Sequence, residues 1–150
     1  MIRESMDVVK ALVVPAASVN GASFTSVGPV DCHGYELATV RIFLGAIAVQ
    51  MAALKLQTSD QSGSGFTDLV GSRFGTDANT AGSTSALPTT TDANGLFTIT
   101  LDLRGKQRYL NIVATAGAGA TFLVAFVELS RGANLPQSAA NRGLNQELRF

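Results

Sequence analysis

ELATVRIFLG, residues 36–45, alternates without a break. Ala38, Val40, Ile42 and Leu44 fall on one side of an extended chain, and Leu37, Thr39, Arg41 and Phe43 on the other. A period of two marks a β-strand with one face turned to a core. Working outward, similar segments recur between clusters of Gly, Ser, Asn, Asp and Pro. Upstream lie VVKALVV (8–14), which stops at Pro15, and the weaker GASFTSV (21–27). Downstream, ALKLQTS (53–59) sets Leu54 and Leu56 against Lys55 and Gln57, and FTDLV (66–70) is short. LFTITLDL (96–103) puts Phe97, Ile99, Leu101 and Leu103 opposite Thr98, Thr100 and Asp102, and RYLNIVAT (108–115) follows. TFLVAFVELS (121–130) is apolar on both faces as far as Glu128, which suits a central strand or one covered by a partner.

Between the first two strong strands, AIAVQMAALKL (46–56) contains helix formers but is continuous with strand patterns on both sides. A bend or a single helical turn is expected there. About eight short strands with polar turns point to an all-β fold, an antiparallel two-sheet sandwich of jelly-roll type with N- and C-terminal arms. Residues 1–131 form the expected sandwich domain. It includes a low-complexity stretch at 71–95, and loops of that length are usually functional or disordered. Residues 132–150, GANLPQSAANRGLNQELRF, read as an extended arm with an apolar tip at Leu148 and Phe150.

At 150 residues the chain is expected to be one domain. A domain of this size buries roughly 70% of its unfolded surface and needs no covalent staple. The single cysteine cannot form an internal disulfide. The 11 basic and 11 acidic residues cancel and form no basic block, so direct nucleic-acid binding is not expected. Charged residues make up only 15%, against about 25% in an average domain. Low charge fits packing against other subunits, and equally a well-buried small β-protein. No apolar run approaches the ~18 residues of a membrane span. At the N-terminus Asp7, Lys10 and Pro15 interrupt the apolar part, so a secretory signal is not expected.

The only cysteine and the only histidine are neighbours in VDCHGYE, residues 30–36. A Cys–His dyad needs facing side chains and a third orienting group. Adjacent residues of an extended chain diverge, and zinc would need ligands that the chain lacks. The expected structure is a turn with Gly34 supplying backbone freedom, His33 exposed and Cys32 half-buried. SDQSGSGF (59–66) imitates the start of a calcium loop but has only Asp60 as carboxylate, so a Gly/Ser hairpin loop is expected. Arg104, Lys106 and Arg108 in LRGKQRY (103–109) suit a solvated tip or interface salt bridges more than a phosphate site. TAGAGAT (115–121) leads from strand to strand and is no dinucleotide cradle. No acid, base and nucleophile assemble, so neither an enzyme nor a cofactor is expected.

Taken in order, GYELATVRIFLGA, ALKLQTSDQSGSGFTDL and RGKQRYLNIVATAG resemble a pattern in small virion proteins of tailed bacteriophages. These motifs, with the closing apolar strand, cover residues 34–130, and the 71–95 loop is the variable part. The resemblance implies a head-associated structural protein that decorates or cements the capsid, made in the host cytoplasm and carried on the virion surface. Its partners would be the major capsid protein and copies of itself, with a trimer the expected state, and no membrane. Leu148, Arg149, Phe150, Phe122 and Phe126 are the expected interface residues. A tail, neck or coat component, or a carbohydrate-binding jelly roll, is the alternative.

Overall fold

In a computed structural model of the chain, residues 28–75 and 86–133 are described throughout. So are the strand backbones Val8–Lys10 and Val19–Asn20, and positions 140, 146 and 148. The described strands are β1 (Val8–Lys10), β2 (Val19–Asn20), β3 (Val30–Asp31), β4 (Leu37–Ile47), β5 (Ala53–Ser59), β6 (Thr67–Arg73), β7 (Leu96–Asp102), β8 (Tyr109–Thr115) and β9 (Ala120–Ser130). They form two sheets in which every pairing is antiparallel. The five-stranded sheet runs β1-β9-β4-β7, with β2 also paired to β9, and the four-stranded sheet runs β3-β8-β5-β6.

The alternation read from the sequence sets which residues enter the core. Ala38, Val40, Ile42 and Leu44 of β4 meet Leu123, Ala125, Val127 and Leu129 of β9 on the inner face of one sheet. Leu54 and Leu56 of β5 and Leu110, Ile112 and Ala114 of β8 line the inner face of the other, and all belong to one buried cluster. Burying such side chains contributes about 1.5–3 kcal/mol each and is what holds the sheets together.

Strands β4, β5, β7, β8 and β9 lie within two residues of their expected positions. Residues 48–52 form the expected bend between β4 and β5. β1 matches the first part of 8–14; residues 11–14 and the expected strand at 21–27 lie outside the described residues. β2 and β3 were not expected: two residues are too few to show a period.

The stretch 71–95 is not one loop. β6 continues through Gly71, whose φ of 82° a glycine adopts without strain, to Arg73. At the other end, Thr90–Asp92 form one 3-10 turn closed by a capping box between Thr89 and Asp92. Pro88 accepts a hydrogen bond from the Met51 amide, and Gly45 accepts one from Asn94. Phe74 and Leu87 pack on the core, and Phe74 meets Phe97 edge-to-face at 5.6 Å. The low-complexity reading missed these single apolar residues among Gly, Ser and Thr.

Candidate interaction surface

The outer face of the five-stranded sheet is built by three strands in register. Leu96, Phe43 and Val124 lie side by side across β7, β4 and β9. The next row is Thr98, Arg41 and Phe126, then Thr100, Thr39 and Glu128, then Asp102, Leu37 and Ser130. The face is therefore apolar at one end and polar at the other. Phe43 stacks on Phe126 with ring centroids 5.8 Å apart and planes 19° from parallel. Phe122 extends the apolar end over Gly45, where an added Cβ would lie 3.1 Å from the Phe122 Cβ. The glycine thus lets the phenylalanine lie down on β4. A register shift between Leu44 and Ile47 bulges β4 at the same place.

These residues remain open to solvent: Leu96 is 52% exposed, Phe43 44%, Phe122 39% and Val124 36%. Scattered exposed apolar residues are ordinary, but a contiguous group rimmed by polar side chains is a candidate interaction surface. Within the polar rim, Arg41 Nε donates to Glu128 Oε2 at 2.8 Å. Beside Phe122 the inside and outside are exchanged. Thr121 is fully buried and its hydroxyl has no hydrogen-bond partner among the described residues, while the phenyl ring next to it faces out.

Of the expected interface residues, Phe122 and Phe126 come together on this surface. Leu148 is 85% exposed, and Arg149 and Phe150 lie outside the described residues. Sequence reasoning missed Phe43, Leu96 and Val124. The signal was available in the outward parity of Phe43 and in the two-faced character of β9, but their adjacency depends on register.

The cysteine–histidine pair is part of the structure of a turn. Asp31 accepts a hydrogen bond from the His33 amide at 3.0 Å and a two-pronged ion pair from Arg108 at 3.0 and 2.7 Å. The Arg108 guanidinium, aided by the His33 amide, holds the Asp31 carboxyl below its ordinary value. Gly34 has φ 84°, and His33 is exposed as expected. Cys32 is fully buried at 5% rather than half-buried, because β3 pairs with β8 and carries the chain into the core. Its amide donates to the Arg108 carbonyl at 2.8 Å.

The remaining motifs are accounted for by local geometry. Residues 60–66 make the β5–β6 hairpin loop, over which Ser59 Oγ, at the end of β5, donates to the Ser64 carbonyl at 2.6 Å and accepts from the Gln61 amide at 3.0 Å. Asp60 turns to Gln107 and to the Arg108 amide. Arg104 pairs with Asp102 in the β7–β8 turn, at 2.6 Å for the shortest contact, which lowers the Asp102 carboxyl to about 2. The glycines of 115–121 join β8 to β9 and pack on the 48–50 bend.

Among the described residues no three His, Cys, Asp or Glu side chains gather as a metal site. No helix there is long and apolar enough to cross a membrane. Comparison of the whole chain with protein-family models and with curated proteins gives no match.

Proposed function

We propose that this chain is a structural protein of a tailed-bacteriophage virion that decorates or cements the outside of the head. The observation that carries this reading is the aromatic end of the five-stranded sheet, with Phe43, Leu96, Phe122 and Val124 exposed in one group. The resemblance of residues 34–130 to small phage virion proteins gives the class of partner, the major capsid protein. Each of these side chains has roughly 1 kcal/mol of further burial to gain. One copy therefore binds weakly, and many copies on a symmetric shell bind firmly through effective concentration. The proposed role is assembly, with no catalytic step and no cofactor.

The jelly-roll form of the fold belongs to the same proposal. Leaving β2 aside, the chain pairs like one long hairpin: β1 with β9, β3 with β8, β4 with β7 and β5 with β6. The contacts β9–β4 and β8–β5 then fold that ribbon over into two sheets. Nested pairing of eight strands in this way is the logic of a jelly roll, an architecture shared by viral capsid and lectin domains.

Mass spectrometry and gold labelling of purified particles of the encoding virus test the proposal. The protein should appear in many copies on the head surface, and the triple change Phe43→Ser, Phe122→Ser, Val124→Ser should release it from particles. Absence from particles would overturn the reading. Exposed aromatics on one face also favour a second reading, a carbohydrate-binding module. Against it, two polar groups on this face, Arg41 and Glu128, are engaged with each other. A specific glycan-array signal lost in the same triple variant would favour this alternative.

A further inference from the structure

We infer that a second copy of this chain pairs with β7 edge to edge, antiparallel about a two-fold axis at Ile99, joining the two five-stranded sheets into one. This inference stands on the geometry of β7 and does not depend on the virion reading.

The two long outer strands of the molecule are treated differently. β6 is protected as an edge: it carries Asp68 and Arg73, its register against β5 shifts between Lys55 and Gln57, and Gly71 sits at positive φ. Charges and bulges of this kind discourage pairing with another strand. β7 has none of these devices. It carries no charge before Asp102 and no proline, and it pairs with β4 in unbroken register from Leu96 to Asp102. Apart from that pairing, no backbone hydrogen bond involves residues 96–102 among the described residues. A regular edge of seven residues is left as a template.

The core is also unfinished along this edge. Phe97, Ile99 and Leu101 point inward and pack on the buried cluster, yet all three are only half-buried. Antiparallel pairing centred on Ile99 puts Phe97 of one copy opposite Leu101 of the other, and Ile99 opposite Ile99. It puts Thr98 opposite Thr100 on the outer face, a favourable pairing of β-branched side chains. Inward residues meet inward residues, and the only charge in the overlap, Asp102, falls at the two ends opposite Leu96. The strand is thus complementary to itself, as an isologous contact requires. This self-complementarity selects a second copy over an unrelated extended peptide.

The contact is small. A seven-residue strand is about 24 Å long, and a strip about 10 Å deep along it covers a few hundred Å2 per copy. A standard stable complex buries about 800 Å2 per partner. Association is therefore concentration-dependent in solution and strengthens where copies are held close together. The assemblies are even-numbered, in place of the trimer expected from the sequence.

Sedimentation equilibrium of the full chain tests this. The wild type should pass from monomer to dimer as concentration rises. Thr98→Lys with Thr100→Lys places lysines opposite one another across the axis and should weaken the dimer at least about tenfold. Thr98→Glu with Thr100→Glu should do the same, and an equimolar mixture of the two variants should regain a heterodimer. Circular dichroism at low concentration checks that each variant is folded. Amide exchange of the wild type gives a measurement without mutation: β7 amides should gain protection with concentration. A monomer at all concentrations, a trimer, a dimer unaffected by both pairs of substitutions, or β7 exchange independent of concentration would each overturn the inference.

Discussion

The outer faces of the two sheets are made by the same alternation and differ in what they leave for a partner. On the four-stranded sheet most outward residues are polar and three of them engage one another, while its apolar members, Ala53, Val113 and the 91%-exposed Val70 of β6, include no aromatic ring. Lys55 Nζ lies 2.6 Å from Asp68 Oδ2, and Gln57 Nε2 donates to Asp68 Oδ1 at 2.8 Å. Asn111, Val113 and Thr115 continue that face on β8, opposite Gln57, Lys55 and Ala53. On the five-stranded sheet the corresponding positions hold Phe43, Phe126, Val124, Phe122 and Leu96, and only the far end is polar. The first face ties Lys55 and Gln57 to Asp68 across its strands. The second exposes apolar area that nothing in the described chain covers. Period-two alternation thus identifies which residues face outward, and their chemistry separates a solvated face from one suited to a partner.

Neighbouring residues of β4 give the sharpest way to break this comparison. Ile42 is fully buried and Phe43 is on the outer face. Ile42→Ala should cost about 2–5 kcal/mol in denaturant unfolding. Phe43→Ser should cost about 1 kcal/mol, chiefly its stacking on Phe126. Equal losses would mean that the outer face is core, and the docking argument would fall.

A second pair of neighbours makes the same contrast at the end of the four-stranded sheet. Cys32→Ala removes a buried sulfur and should cost about 1 kcal/mol. His33→Ala, at an exposed position, should stay within about 0.5 kcal/mol. Thermal melts of both variants decide it, and a large effect from His33 alone would show that the turn has a role beyond geometry.

Acid should act through the polar groups and leave the aromatic surface untouched. Asp31 is held below its ordinary value of 3.8 chiefly by its hydrogen bond from Arg108. Asp68 is lowered chiefly by Lys55, and Asp102 to about 2 chiefly by Arg104. A carboxyl depressed in the folded state stabilises fully above its unfolded value and loses that contribution as pH falls through the folded one. Melting temperature should therefore decline below about pH 4 and keep declining toward about 2. The decline is small, because these pairs are solvent-screened. Asp31→Asn should make the decline shallower. A rise in stability on acidification would reverse the assigned sign.

The smallest effect is expected at Thr121, where the buried hydroxyl has no partner among the described residues. Thr121→Val keeps the shape and removes an unsatisfied polar group, so stability should be unchanged or rise by up to about 1 kcal/mol. A loss in calorimetry would reveal a hydrogen bond at that hydroxyl and reduce the contrast drawn at Phe122.

Much of the architecture was legible in the chain because period two is a local property. β4, β5, β7, β8 and β9 announce themselves through residues two apart, and the bend at 48–52 through the break between two such runs. The candidate surface was only half legible. Phe122 and Phe126 stand out in an apolar strand, but nothing in the sequence says that Leu96 and Phe43 lie beside Val124.

By itself, then, the sequence determined strands β4, β5, β7, β8 and β9, their inward residues and the polar turns between them. Each depends on side chains a few positions apart and on the backbone freedom of Gly and Asn. Tertiary structure alone decided that β9 lies between β1 and β4, and that Arg41 meets Glu128 across 87 positions of chain. It also drew the two-residue β3 and Cys32 into the core and, among the described residues, left the outer edge of β7 unpaired. Those outcomes arise from long-range pairing, in which burying two apolar sheet faces together selects one register among many that the local pattern allows.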